Sequence, residues 1–260
     1  MNKDIQQKII YIAGFPRSGT TWFANILNAS PNIVYRHEIL GRKYKSFGDR
    51  LFQAIKFNHG LSEDEYYQAI KTIRFADIET DRPPFFKKDQ FLQNHPKFHY
   101  YLWAAAKLLP FLQGVYGKLY KIRNSRNHIT ILLKETGASN NIDSIIKGLK
   151  IEKTLILVRA PYGAISSHIK GMNLGKMPQL TPQIMLKWFH NNQDMSYIRA
   201  LNYSDNDITK LSNAAFYAIN WRVYYENIIE KLSSNQGCFI YFYEALVDNP
   251  EKNIKQLFII

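Results

Sequence analysis

Cysteine is almost missing from this chain: Cys238 is the only one in 260 residues. An internal disulfide is excluded, and a reducing compartment is expected. Long hydrophobic runs are also missing. The longest apolar region, Tyr100 to Leu112, is interrupted by Lys107 and Pro110 and is too short to span a bilayer. It reads as a buried helix or a substrate-facing wall in preference to a membrane attachment. Met1 to Gln7 holds no apolar core of signal-peptide length, so a cytoplasmic location is expected. Acidic residues are scarce, with 21 Asp and Glu against 34 Lys and Arg, a net charge of +13. Such an excess concentrates anionic ligands, and nucleic acid, an acidic membrane face or a polyphosphorylated small molecule all qualify. The charges are scattered apart from short clusters at Arg42-Lys43-Tyr44-Lys45 and Lys118 to Arg126. No nucleic-acid signature accompanies them, and nucleic acid is not expected as a partner.

What remains is the composition of a single substantial domain, with 46% hydrophobic and 21% charged residues. Ile9 to Ala13 is a short, β-branched apolar run closed by Gly14, the pattern of a buried strand. Trp22, Phe23, Ile26 and Leu27 then recur at helical spacing until Ser30-Pro31. Further strands are expected at Ile33–Tyr35, Ile129–Leu133, Thr154–Val158 and Cys238–Tyr243. Helices are expected at Asn141–Leu149, from Pro161, from Thr181-Pro182 toward Arg199, over Thr209–Leu232 and from Asn249-Pro250. Alternating strands and helices predict an α/β fold: a parallel sheet flanked by helices on both faces, three layers deep. A basic, aromatic and mostly helical insertion occupies about 42–128. The chain stops at Leu257-Phe258-Ile259-Ile260 within an apolar helical pattern, which leaves a natural end and a truncation both open.

The segment between the first strand and helix is the layout of an anion-binding loop, in which backbone N–H groups and a helix N-terminus face the ligand. Gly14 and Gly19 have the spacing of an ATP or GTP loop. Thr20, however, stands where that loop needs its lysine, and the cation is Arg17, two residues before Gly19. A guanidinium grips tetrahedral oxyanions bidentately. A second arginine, Arg159, follows the strand ending at Val158, where ligand sites of open parallel sheets gather, and Ser167 lies eight residues further on.

Pro16-Arg17-Ser18-Gly19-Thr20-Thr21-Trp22 resembles the 5′-phosphosulfate loop of sulfotransferases that use 3′-phosphoadenosine 5′-phosphosulfate. Arg159 and Ser167 resemble that family's 3′-phosphate site, and the two motifs stand in the family's order. The resemblance implies that Arg17 contacts the bridging region of the donor. It implies further that Ser18, Gly19, Thr20 and Thr21 bind the 5′-phosphate, that Trp22 lies near the adenine, and that Arg159 and Ser167 read the 3′-phosphate. Phe239 to Pro250 resembles the family's late strand, Tyr-Glu-x-Leu turn and following helix. The likeness covers Ile9 to about Gly41 and Ile129 to Ile260; the middle third matches nothing nameable. The implied reaction is sulfuryl transfer to a hydroxyl of a carbohydrate or small metabolite.

For a base, the resemblance points to Glu38, 21 residues after Arg17. Tyrosyl-protein and carbohydrate sulfotransferases place a glutamate at that distance. Cytosolic steroid and phenol sulfotransferases use a histidine after a later Lys-Thr, whereas Lys134-Glu135-Thr136-Gly137 here contains none. Glu38 has the plainer alternative of pairing with Arg36 or Arg42. His37 is the rival base, although strand alternation would point it to the opposite face. Arg17 is expected to act electrostatically, since arginine does not deprotonate. Lys134 is expected either to stabilise the transferring group or to be an ordinary surface lysine. Arg36 and Asn141 have less support as site residues. His95 and His99 have helical spacing, but Pro96 intervenes and no third ligand presents itself, so no metal is expected. Trp221, Tyr224 and Tyr225 read as core packing. Two other classes remain open: a nucleotide kinase or NTPase with a degenerate loop, and a non-enzymatic anion- or nucleic-acid-binding module.

Overall fold

The computed structural model describes residues 8–38, 83–89, 91, 94–120, 129–136 and 139–257, with isolated positions at 62, 64, 65, 68 and 73. The cluster Arg42-Lys43-Tyr44-Lys45, most of the insertion expected at about 42–128, Gly137, and the ends Met1–Gln7 and Phe258–Ile260 lie outside the described residues. Two compact units divide the chain. The first comprises Met1–Ala13, Thr20–Ile156 and Gln236–Phe239, the second Gly14–Gly19, Leu157–Asn235 and Ile240–Ile260.

A parallel sheet with helices around it confirms the α/β class. Its strands are β1 (Ile9–Gly14), β2 (Ile33–His37), β3 (Thr130–Thr136), β4 (Lys153–Val158) and β5 (Cys238–Phe242), in the order β2-β3-β1-β4-β5. The inner strands read as continuous apolar runs because both of their faces are covered; Tyr11, Ile12, Ile131, Leu132 and Leu133 are essentially inaccessible, whereas Ile240 and Phe242 of β5 are exposed. Register fixes which strand ends meet. β1 runs parallel to β4 with Ala13 opposite Ile156, and β2 runs parallel to β3 with His37 opposite Lys134.

In the first unit, α1 (Thr20–Asn28) lays Phe23, Ala24 and Leu27 on β2 and β3. Its last turn is locked from far along the chain. The Lys88 ammonium, wholly buried, donates to the carbonyls of Asn28, Ser30 and Ile33 and to the Asn28 side-chain oxygen. A cation at the carbonyl end of a helix both satisfies orphan acceptors and complements the helix dipole. Two helices, α2 (Pro96–Leu108) and α3 (Gln113–Tyr120), are joined by a short turn at Pro110–Leu112. Ala106, Tyr116 and Tyr120 join Val34, Phe91 and Ile129 in one core cluster. His99 lies between the rings of Phe85 and Tyr120, with centroids 3.9 and 3.6 Å away, and its Nε2 is 2.9 Å from the Tyr116 hydroxyl. Burial pushes its pKa down to about 4. The buried helix expected over Tyr100–Leu112 is therefore buried on one face only, because Leu108 and Phe111 remain 81% and 75% exposed. α4 (Ile142–Gly148) buries Ile142, Ile145 and Ile146.

The second unit is helical: α5 (Pro161–Asn173), α6 (Pro182–Asn191), α7 (Ser196–Leu201), α8 (Asp205–Thr209), α9 (Asn213–Leu232), α10 (Tyr243–Asp248) and α11 (Pro250–Leu257). The helix expected from Thr181 to Arg199 breaks at Asn192, whose side-chain amide turns back to the Trp188 carbonyl at 2.7 Å. Asparagine competes with the helical ladder in this way. The helix expected over Thr209–Leu232 is α9, which starts only at Asn213 because Ser212 caps it at Ala215; Thr209 instead ends α8, a short helix opened by a capping box of Ser204 and Asp207.

Candidate functional site

The loop between β1 and α1 is shaped by two residues with positive φ, Arg17 at 71° and Gly19 at 89°. Gly19 could not be another residue without displacement, since an added Cβ would stand 2.7 Å from two ring carbons of Tyr243. Ser18 is buried. Its N–H donates to the Phe15 carbonyl at 3.0 Å, and its hydroxyl lies 3.1 Å from the Tyr225 hydroxyl. Tyr225 Oη also accepts the Phe15 N–H at 3.2 Å and donates to the Leu157 carbonyl at 2.8 Å. One phenol on α9 thus ties the loop to the end of β4. Burial raises its pKa, so it stays protonated and able to donate.

Two guanidiniums converge on this loop. Arg17 Nε donates to Ser167 Oγ on α5 at 3.1 Å, and Arg159 Nη1 donates to the Arg17 carbonyl at 3.0 Å. Arg159 lies over the Tyr243 ring, 4.6 Å from its centroid, and its carbonyl accepts the Trp221 indole N–H at 3.0 Å. Gly163 leaves room for it, since a Cβ there would meet Arg159 Nε at 3.0 Å. The turn is closed by Glu244, which accepts the Ala160 N–H at 3.1 Å. Arg159 Nε is buried without a hydrogen-bond partner. Among the described residues neither Arg17 nor Arg159 has a carboxylate within ion-pair distance. His168, one residue beyond Ser167, is buried beside Tyr217. Burial, followed by the Arg17 charge, pushes its pKa down.

In the first unit a separate polar group assembles at the end of β2. Because β2 and β3 are in register at His37 and Lys134, the next residue, Glu38, donates its N–H to the Lys134 carbonyl at 2.8 Å. Its Oε1 accepts from Lys134 Nζ and, at 2.8 Å, from the Thr136 hydroxyl. Lys134 is buried rather than a surface lysine; β3 runs on to Thr136, past the expected end at Leu133. Burial is the largest influence on Glu38 and would raise its pKa. The Lys134 charge, the two hydrogen bonds and His37 together outweigh it, so the carboxyl titrates below its ordinary range. Among the described residues no hydrogen bond reaches Glu38 Oε2, and His37 Nε2 stands 3.9 Å from it.

His37 is consequently not turned to the opposite side from Glu38. Alternation fails there because Glu38 leaves the strand at φ 49°. His37 Nδ1 lies 2.7 Å from the Tyr35 hydroxyl, which also hydrogen-bonds the Thr21 hydroxyl. Burial and the charges of Glu38 and Glu135 raise the Tyr35 pKa, so the phenol stays protonated. Arg36 does not reach Glu38; it is buried and donates to the Ile73 carbonyl at 2.7 Å. Thr20 is buried, and Trp22 is 39% exposed on α1. Asn141 precedes α4 without a side-chain cap.

Arg17, Ser18, Gly19, Arg159 and Ser167 are thus gathered in the second unit, while Glu38 and Lys134 meet in the first, with Thr20, Thr21 and Trp22 on α1. Sequence reasoning missed the supporting roles of Tyr225 and Trp221. Both lie on the buried side of a long helix, where nothing in the spacing separates a hydrogen-bonding tyrosine from a packing one. Among the described residues no group of three or more His, Cys, Asp or Glu is placed to hold a metal ion.

No family model and no curated protein matches the chain. Among solved structures it is similar to a sulfotransferase from Alicyclobacillus acidocaldarius, with a TM-score of 0.43 and 10% identity over 96% of this chain and 79% of that one.

Proposed function

We propose that the chain is a sulfotransferase, moving a sulfuryl group from 3′-phosphoadenosine 5′-phosphosulfate to a hydroxyl of a carbohydrate or small metabolite. The observation that carries this is the pair of arginines at the loop, Arg17 bonded to Ser167 and Arg159 bonded to the Arg17 carbonyl, neither with a carboxylate at ion-pair distance among the described residues. Two cations held at one loop without a carboxylate are a set that an anion neutralises. The donor fits the chemistry of this set: it carries phosphate on both sides of its ribose, and Arg159 Nε is a buried donor still lacking an acceptor. Ser167 accepts from Arg17 and keeps its own hydroxyl proton for an anion. Ser18, whose two donors are engaged within the protein, positions the loop.

When bound, the donor supplies a sulfuryl group activated by a phosphate leaving group. Arg17 then stabilises charge on that leaving group electrostatically, because its proton is never released. Glu38 is the base. Lys134 and Thr136 hold Oε1 and keep the carboxylate ionised, so Oε2 is left to take the acceptor's proton. Lys134 serves the reaction through Glu38, and His37 flanks the same oxygen. The loop lacks the lysine an ATP site would use, which separates this reading from a kinase or NTPase.

Calorimetry with adenosine 3′,5′-bisphosphate, the spent donor, tests the assignment. Each charged hydrogen bond is worth about 1.5–3 kcal/mol, so Arg17→Ala and Arg159→Ala are each expected to weaken binding by about 10- to 100-fold. ATP with magnesium should bind poorly. Unchanged affinity for the bisphosphate in both folded variants, or no binding to the parent protein, refutes the proposal.

A further inference from the structure

Among the described residues, the α2–α3 hairpin is anchored on one side and leaves apolar side chains exposed on the other. Ala106, Tyr116 and Tyr120 enter the core, whereas Tyr101, Leu108, Leu109, Phe111 and Val115 are 68%, 81%, 45%, 75% and 48% exposed. Tyr101 and Leu108 are seven residues apart on α2, hence on one face. Leu109 and Phe111 flank Pro110 at the turn that joins the two helices. Beyond the turn, Gly114 and Gly117 face open space, where an added Cβ would meet nothing within 4 Å. Monomeric proteins rarely leave such a contiguous apolar surface to water without a use for it.

Charge selects the occupant. No Asp or Glu occurs between Asp89 and Glu135, while Lys97, Lys107 and Lys118 are exposed on the same hairpin. Lys107 lies over the Trp103 ring at 4.4 Å, an amphipathic pair suited to a headgroup layer. A second copy of this face would bring lysine against lysine with no compensating carboxylate, in a chain already at +13. No helix among the described residues is long and apolar enough to cross a membrane. We propose that this hairpin docks on an anionic phospholipid surface, with Leu108, Leu109 and Phe111 entering the boundary between headgroups and acyl chains and the three lysines meeting the headgroup phosphates. This is the attachment mode of an interfacial helix, which lies on a bilayer without spanning it.

Flotation of the full chain with vesicles of phosphatidylglycerol and phosphatidylcholine, against phosphatidylcholine alone, tests this. Binding to the anionic vesicles is expected, weakening as salt rises. The double variant Leu108→Asp with Phe111→Asp is expected to bind them at least about tenfold less well, since it loses two apolar insertions and adds like charge. Because both side chains are largely exposed, its thermal midpoint and its affinity for adenosine 3′,5′-bisphosphate should stay at parental values, which keeps this outcome distinct from failure of the proposed reaction. Parental flotation by the double variant, or no preference for anionic vesicles at low salt, overturns the proposal. So does a concentration-dependent dimer, abolished by the same variant, in a protein that ignores vesicles; that result would assign the face to a second copy.

Discussion

Tyr225→Phe removes one oxygen and keeps the ring, so it isolates what the phenol does for the anion loop. That oxygen accepts the Phe15 N–H, lies 3.1 Å from the Ser18 hydroxyl, and donates to the Leu157 carbonyl. Its loss leaves a buried backbone donor and a buried backbone acceptor unsatisfied at about 1–3 kcal/mol each, while the Ser18 hydroxyl is free to rotate. We expect a loss of about 2–5 kcal/mol in urea denaturation, a large part of the total stability of a typical domain. Ser18→Ala alone should cost about 1 kcal/mol. In the Tyr225→Phe background it should cost almost nothing, because the bond is already gone. Binding of adenosine 3′,5′-bisphosphate should weaken in both single variants as the loop loosens. A Tyr225→Phe loss below about 0.5 kcal/mol, or full additivity of the pair, would refute the claim that this hydroxyl fixes the loop.

Gly19→Ala meets both a positive φ of 89° and the Tyr243 ring at 2.7 Å, and should cost about 1–3 kcal/mol with loss of donor binding. Gly175→Ala, at φ 65° with open space around it, is the control for backbone strain alone and should cost about 1 kcal/mol or less in thermal unfolding. Glu38→Gln keeps an acceptor for Lys134 and Thr136 but cannot take a proton, so turnover should collapse while donor binding survives; normal turnover would move the base to His37. Since the Glu38 pKa is lowered in the folded state, its ionised form contributes stability above the ordinary carboxylate value that is lost as pH falls through the lowered one. Partial exposure keeps that contribution small. Lys134→Met removes the chief lowering charge, leaves burial dominant and should move the Glu38 midpoint above its ordinary value, read by carboxyl NMR titration. For His99, whose folded pKa of about 4 lies below its ordinary 6.5, stability is full above 6.5 and should fall by about 3 kcal/mol as pH drops to about 4. His99→Phe should flatten that loss in acid denaturation.

The strands, the helix ending at Asn28 and the helix starting at Pro161 were legible because buried parallel strands and marked helix ends leave strong local signals. Asn192 shows where local chemistry divides a helical pattern that periodicity alone runs together, and Ser212 where a cap sets a helix start that periodicity placed four residues early. Arg17, Gly19 and Arg159 stood out because loop glycines and strand-end arginines occupy special backbone positions, whereas Ser167, inside a helix, was singled out only by the resemblance to the sulfotransferase 3′-phosphate site. The pairing of Glu38 was not legible. It depends on the β2–β3 register, which sets His37 opposite Lys134 across nearly a hundred residues of chain. Nor was the α9 support of the loop, since Tyr224 and Tyr225 are adjacent aromatics on one buried helix: Tyr224 meets the Phe15 ring edge-on at 5.7 Å, while the hydrogen bonds to Phe15, Ser18 and Leu157 come from Tyr225.

Lys88 has a consequence for how unfolding can be watched. Its amine is sealed behind the end of α1 and engaged by four oxygens, so an amine-reactive acylating reagent can reach it only when that region opens. Exposed lysines such as Lys97 and Lys118 would be labelled at once and serve as the internal reference. The slow appearance of label at Lys88, followed by mass spectrometry, would time the opening of the first unit without any denaturant.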